Sequence, residues 1–306
     1  MNAARRDSST GRPLFLETTI HIDRFWETVP RRRQIRRNLV GRRLFSSSYV
    51  FMEFQRTLLK DLVYVHSIVE SDCDAGADSR VFLGDLQRKL AKRGGDHGAR
   101  SVVRSFLIVA CILDHFPLTV VSRDELLEFL RYQIDFHRDK FFEVDLTEEF
   151  GEVVGVELSN ATDCDLVKDH LPVGDRRRYF CRRPEADCHL PEFLERYAAV
   201  LHEVHQAFTA ASAGPSRHGN PRLADALGRV KRQPDDWQRA KGQKNCWPLG
   251  DTIIALEAPV EAAIYTTDHH YELICDIVGR VRYRELALDV ASGPKASPGG
   301  AESTAL

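Results

Sequence analysis

An α/β fold with a mostly parallel central sheet is predicted by three features of the sequence. An apolar strand-like run near each end stops at an acidic residue, helical periodicity follows both, and a long middle segment is dominated by helical patterning. The first run is Leu14, Phe15 and Leu16, ending at Glu17. Thr18 and Thr19 then lead into Ile20, Ile22, Phe25 and Trp26, spaced as on a helix. Glu17 is therefore expected at the carboxyl end of a strand, the edge where open parallel sheets bind ligands.

A second strand-like pair, Leu44 and Phe45, meets the serine run Ser46 to Ser48, which suits the cap of a helix carrying Tyr49, Val50, Phe51, Met52 and Glu53. Glu53 shares a face with Tyr49 and Val50, so its carboxylate borders an apolar stripe, a costly place for a charge without a partner. Near the other end, Pro248 and Gly250 punctuate the chain before Asp251, which opens a helical pattern where the dipole favours negative charge. The run Ala262 to Tyr265 then continues through Thr266 and Thr267 to Asp268, repeating the strand, acid, helix order of Glu17. A fold that joins the ends would gather Glu17, Glu53, Asp251 and Asp268 in one cleft. Hard carboxylate oxygens suit Mg2+ or Mn2+ better than zinc. For any one acid alone, a helix-capping or first-turn role is the simpler reading.

This ordered set resembles the PIN-like nuclease family, in which one acid follows the first strand, a second lies on an early helix, and two more flank the helix and strand near the end. The resemblance implies a metal-dependent nuclease that hydrolyses phosphodiester bonds, with RNA the expected polymer, and the composition, with no apolar run of membrane-spanning length, leads to the expectation of a soluble cytoplasmic protein. It implies that Glu17, Glu53, Asp251 and Asp268 are both the metal ligands and the catalytic residues, holding Mg2+ or Mn2+. Glu17 stands where the family has Asp, and a long segment separates Glu53 from Asp251. The expected organisation is a tail at 1–12, a PIN-like core at 13–71 and 245–288, a mainly helical insertion at 72–244 and a second tail at 289–306. Two further readings remain open: a catalytically weak or inactive nucleic-acid-binding or scaffold protein, and a partner-controlled toxin or defence effector.

Net charge is −2, so no global field draws a polyanion, but the basic residues cluster. Arg31, Arg32, Arg33, Arg36, Arg37, Arg42 and Arg43 have no acid among them, and the PIN-like arrangement would set them beside the acidic cleft as a nucleic-acid contact. A solvated helix face with ion pairs is the plainer account. A second group, Arg176 to Arg178 with Arg182 and Arg183, encloses Tyr179 and Phe180. The insertion carries helical spacing at Val102 to Leu113 and again at Leu126 to Phe136, the latter opened by a Ser122 and Glu125 capping box. Further helices are expected over 191–211, 222–231 and 234–240. A homodimer or a regulatory protein partner is compatible with such an insertion.

Seven cysteines without a CxxC pair read as reduced thiols, with a structural zinc on Cys164, Cys181, Cys188 and Cys246 the alternative. No apolar run reaches the length of a membrane span, so no membrane partner is expected. Signatures of a serine nucleophile elbow, a phosphate-binding loop or an HExxH zinc helix are missing from the sequence. His269 and His270 follow Asp268 and read as exposed first-turn residues, with a metal or proton role as the alternative.

Overall fold

The computed structural model describes residues 11–72, 122–164, 188–212, 220–230, 237–241 and 246–285, together with 84–86, 88, 89 and 108. It is an α/β structure built on one six-stranded, mostly parallel sheet. The strands are β1 (Leu14–Leu16), β2 (Leu44–Ser47), β3 (Glu143–Asp145), β4 (Val153–Ser159), β5 (Ala263–Tyr265) and β6 (Val281–Arg282), in the order β3-β4-β2-β1-β5-β6. All pairings are parallel except β3 with β4.

Alternation along the short strands divides the interior. Phe15, Phe45 and Ile264 point into one apolar cluster, while Leu14, Leu16, Leu44, Ala263 and Tyr265 point into the other. The central strands β1, β2 and β5 are therefore apolar on both sides, as a parallel sheet covered on both faces requires. The helices that cover it are α1 (Thr18–Trp26), α2 (Val29–Leu39), α3 (Ser48–Phe54), α4 (Lys60–Asp72), α5 (Arg123–Asp139), α6 (Thr147–Phe150), α7 (Leu190–Arg196), α8 (Ala198–Ser212), α9 (Pro221–Val230), α10 (Gly250–Glu257) and α11 (His270–Val278). Ile35 and Leu39 of α2 pack on the Leu14 and Leu16 side, whereas α3, α10 and α11 pack on the Phe15 side. A wide π-helical turn, Gln55–Leu59, joins α3 to α4.

Local capping follows the residue types. The Ser47 hydroxyl accepts from Val50 N at 3.1 Å and opens α3, and Ser122 with Glu125 forms the expected capping box at α5. Gly279, at φ 66°, closes α11 in the left-handed region that a side chain disfavours. The region expected to be helical from 191 to 211 is two helices, α7 and α8, and 237–240 is a 3₁₀ turn.

The sheet extends beyond the two segments expected to hold it. β3 and β4 come from within 72–244, and β4 pairs with β2 over four registered residue pairs. The segment is thus partly a sheet element, and its two strands widen the sheet on the β2 side. The helical spacing expected at Val102 to Leu113 falls outside the described residues except for Ile108, which is helical and buried. Residues 1–10 of the tail expected at 1–12, the whole tail expected at 289–306, and the basic group from Arg176 to Arg183 also lie outside them. Among the described residues no helix is long and apolar enough to cross a membrane.

The strand order contains a reversal. From β1 the chain moves to β2 and onward to β4 on one side, while from β5, the other neighbour of β1, it moves to β6 on the opposite side. Successive helices leave the sheet in divergent directions at such a point and open a crevice beyond the carboxyl ends of the two strands.

Candidate functional site

Glu17 and Asp268 both stand at that crevice. Leu16 and Tyr265 are registered partners on β1 and β5, so the next residues of both strands emerge side by side. Glu17 N donates to Tyr265 O at 3.1 Å. The Glu17 carboxylate turns back as the N-cap of α1, and its Oε2 accepts from Thr19 N and from the Thr266 hydroxyl, each at 2.9 Å, and from the Thr19 hydroxyl. The capping role and a role at the crevice therefore coexist. All three donors use Oε2; Oε1 takes none among the described residues.

Glu53 enters from α3, whose Tyr49 hydroxyl donates to Cys246 O at 3.0 Å and ties that helix to the segment before Asp251. A Cβ placed on Gly250 would lie 3.7 Å from Glu53 Oε1, so α10 begins against that carboxylate. Glu53 accepts from the Thr18 hydroxyl at 2.8 Å and from Arg56 Nη2 at 3.1 Å. The Arg56 guanidinium in turn lies 4.0 Å from the centre of the Trp247 ring.

Asp251 sits in the first turn of α10, as its sequence context indicated, and Asp268 just ahead of α11, whose His270 N donates to Asp268 Oδ1 at 2.9 Å. His270 Nδ1 lies 3.2 Å from Asp268 Oδ1 and 3.7 Å from Asp251 Oδ2. Among the described residues, Asp251, Asp268 and His270 form the one group of three His, Cys, Asp or Glu residues whose ligand atoms lie within 4.8 Å of one another. Such a spacing matches the separation of two ligands around a single divalent ion.

Electrostatics bind the four acids into one unit. Burial, reinforced by the Glu53 charge, pushes Glu17 up to about 8 despite the Thr19 hydrogen bonds. Burial also raises Glu53, with Arg56 opposing and Asp251 adding to the rise. The wholly buried Tyr271 hydroxyl feels all four: its pKa is raised well above the usual phenol range by burial and then by the charges of Glu17, Asp251, Glu53 and Asp268. Among the described residues that hydroxyl has no hydrogen-bond partner.

The expected arginine patch is divided. Arg42 and Arg43 precede β2, at the amino ends of the strands and away from the acid-bearing edge; Arg42 donates to Arg12 O, and Arg43 pairs with Glu157 at 2.6 Å. Arg31 pairs with Glu285 and Asp23, Arg33 with Glu149, and Arg36 with Glu148 and Glu149. Only Arg32 and Arg37 of the seven make no ion pair or side-chain hydrogen bond among the described residues. Sequence reading could not anticipate these partners, most of which lie more than a hundred residues away.

Of the cysteines proposed as an alternative zinc set, Cys181 lies outside the described residues. Cys164 and Cys188 are half-buried and packed against the main core, and Cys246 is buried. None enters the ligand group above.

His270, Tyr271 and Arg56 are the residues that sequence reasoning undervalued. His270 is only 25% exposed at its side chain, because α11 turns its first residues toward α10. The signal available in the sequence was the repeated threonine pair after each strand, Thr18-Thr19 and Thr266-Thr267, whose hydroxyls furnish the Glu17 and Glu53 hydrogen bonds. No protein-family model, curated protein or solved structure matches the chain.

Proposed function

We propose that this acidic crevice is the divalent-metal site of a PIN-like nuclease that hydrolyses phosphodiester bonds, with RNA as the polymer. The observation that carries the reading is the convergence of Glu17, Glu53, Asp251 and Asp268, from four separate segments, around the Tyr271 hydroxyl at the sheet's topological switch point. Crowded carboxylates at a buried position repel one another and hold protons that a cation would displace, so the residues fit a divalent ion.

Asp251, Asp268 and His270 would hold the ion, with Glu17 and Glu53 completing the negative field. An imidazole beside two carboxylates shifts the preference from Mg2+ toward Mn2+, which accepts nitrogen more readily. A bound divalent cation supplies Lewis acidity and an acidified water at neutral pH. The protein's own share is orientation: Thr19 and Thr266 fix Glu17, Thr18 fixes Glu53, and Asp268 accepts from His270 N, which holds the start of α11 beside the acids. No side-chain nucleophile is required.

A second reading, a noncatalytic nucleic-acid-binding or scaffold protein, is favoured by Arg56, which already neutralises Glu53 from within. The deciding experiment incubates the protein with labelled single-stranded RNA, single-stranded DNA and duplex DNA in Mg2+, Mn2+ or EDTA, beside Asp251→Asn and Asp268→Asn. Metal-dependent cleavage lost in both variants supports the nuclease. Intact folding with no cleavage under any metal sinks it and leaves the scaffold reading.

A further inference from the structure

The crevice does not treat its acids alike. Asp251, Asp268 and His270 bring ligand atoms within 4.8 Å of one another, a spacing that suits one ion. Glu53 is engaged otherwise: its Oε2 accepts from the Thr18 hydroxyl at 2.8 Å and its Oε1 from Arg56 Nη2 at 3.1 Å, so each oxygen already has a donor. The start of α10 crowds Oε1 as well, since a Cβ on Gly250 would stand 3.7 Å from it. Glu17 commits Oε2 to Thr19 and Thr266 and keeps Oε1. Thr18 and Thr19 are consecutive at the start of α1, which makes the two carboxylates they hold neighbours.

Arg56 differs from a helix-face ion pair. Pairs of that kind lie in water and contribute little, whereas the Arg56 and Glu53 side chains are only 16% and 17% exposed. The π-helical turn carries Arg56, and the Trp247 ring, centred 4.0 Å from its guanidinium, holds the group in place. Arg56 Nη1 is buried without a partner, so Glu53 is the one acceptor the guanidinium meets among the described residues. Arg24, also buried, instead spends its terminal nitrogens on the carbonyls of Glu143, Lys140 and Phe141. An arginine that leaves a buried donor unmet while reaching a single carboxylate of an acidic crevice is placed there for its charge.

We infer that the crevice takes a single divalent ion, on Asp251, Asp268 and His270, and that the Arg56 guanidinium occupies the place on Glu53 where a second ion would sit. The inference rests on the metal-site reading above and deepens it by fixing the number of ions. Two-ion sites set their cations about 3.5–4 Å apart and clamp a phosphoryl group from both sides. A guanidinium on Glu53 supplies a permanent positive charge in place of one of those cations, draws no ion from solution and acidifies no water. Glu53 then serves as the holder of the arginine, and the ion's own ligands come from α10 and the start of α11.

The test counts ions. Metal-free protein is titrated with Mn2+ while electron paramagnetic resonance reads the free ion, for the unaltered chain, Arg56→Gln, Glu53→Gln and the two changes combined, each checked for folding by circular dichroism. The expected counts are one ion on the unaltered chain, two on Arg56→Gln, where Glu53 Oε1 and Glu17 Oε1 are both released, and one again on the combined variant. The single ion is expected to be lost in Asp251→Asn and in Asp268→Asn. Should Arg56→Gln fail to fold, Glu53→Gln decides: the count stays at one under the inference and falls to none if Glu53 is a ligand of that ion. Two ions on the unaltered chain, one on folded Arg56→Gln, or a count indifferent to Asp251→Asn and Asp268→Asn overturns the inference. No bound Mn2+ on any variant overturns it together with the metal reading. Absence of cleavage with the expected counts removes the nuclease reading alone and upholds the count.

Discussion

Arg56 Nη2 stands 3.1 Å from Glu53 Oε1, so one of the four converging carboxylates carries an internal counter-ion. Arg56 lies on the π-helical turn directly after α3, where the widened backbone directs its side chain back along the helix toward Glu53 and the Trp247 ring. Guanidinium and metal compete for the same oxygen. Arg56→Gln is expected to tighten Mn2+ binding several-fold by calorimetry, and to lower unfolding free energy without metal by about 1–3 kcal/mol, as half-buried Glu53 loses its partner. Unchanged metal affinity would show that Glu53 takes no part in the cation site.

Glu17 makes the metal-free protein sensitive to base. Its carboxyl, raised from 4.5 to about 8, keeps a proton in the folded state that the unfolded chain has already released. This contribution is fully present below pH 4.5 and is lost as pH rises toward 8, with a ceiling on the order of 5 kcal/mol. Urea unfolding in EDTA should therefore show stability falling between pH 6 and pH 8, and Glu17→Gln should flatten that slope. Mn2+ should raise the melting temperature more at pH 8 than at pH 6, because the ion no longer has to displace the proton.

His137 sets the opposite limb. Burial and then Arg24 lower it from 6.5 to about 3, so the unfolded chain takes up a proton that the folded one refuses. Stability from this group is complete above pH 6.5 and is lost as pH falls toward 3. His137→Gln should lessen the acid loss in melts taken between pH 7 and pH 5; an unaltered acid limb would place the titrating group elsewhere, with His21 the next buried candidate.

Tyr271 offers a test that separates site from scaffold. Its hydroxyl is buried with no partner among the described residues, so Tyr271→Phe removes an unsatisfied group and is expected to leave metal-free stability unchanged or higher by about 1 kcal/mol. If the hydroxyl serves water or substrate at the acidic crevice, the same variant loses activity while keeping its melting temperature. A stability loss would mean that the phenol is bonded in solution.

The four acids were legible because each is announced locally, by an apolar run that stops at Glu17 or Asp268 and by helix-start chemistry around Ser47 and Asp251. Their convergence was not legible from spacing alone, since it depends on β1 pairing with β5. The β3 and β4 strands escaped notice because β4, although paired on both sides, is poorly covered, with only Val156 buried, and the surrounding helical periodicity outweighs so weak a pattern. The arginine cluster misled for a related reason: its density is local, whereas Glu285, Glu149 and Glu157, which neutralise much of it, are remote in the chain. His270 and Tyr271 read as an ordinary first helical turn, and only the packing of α11 beside α10 gives them another meaning.

The adjacency of β1 and β5 also has a temporal side. Glu17 is made long before Thr266, the second threonine that steadies its carboxylate, which lies 249 positions later, and Asp268 follows still further on. Closing so long a loop is among the slowest kinds of contact to form, and a vectorially made chain cannot attempt it until nearly all of the sheet has been synthesised. A nascent chain thus carries Glu17 and Glu53 without Asp251 and Asp268, and whatever chemistry the crevice performs is withheld until Asp268 has been made and β5 has joined β1.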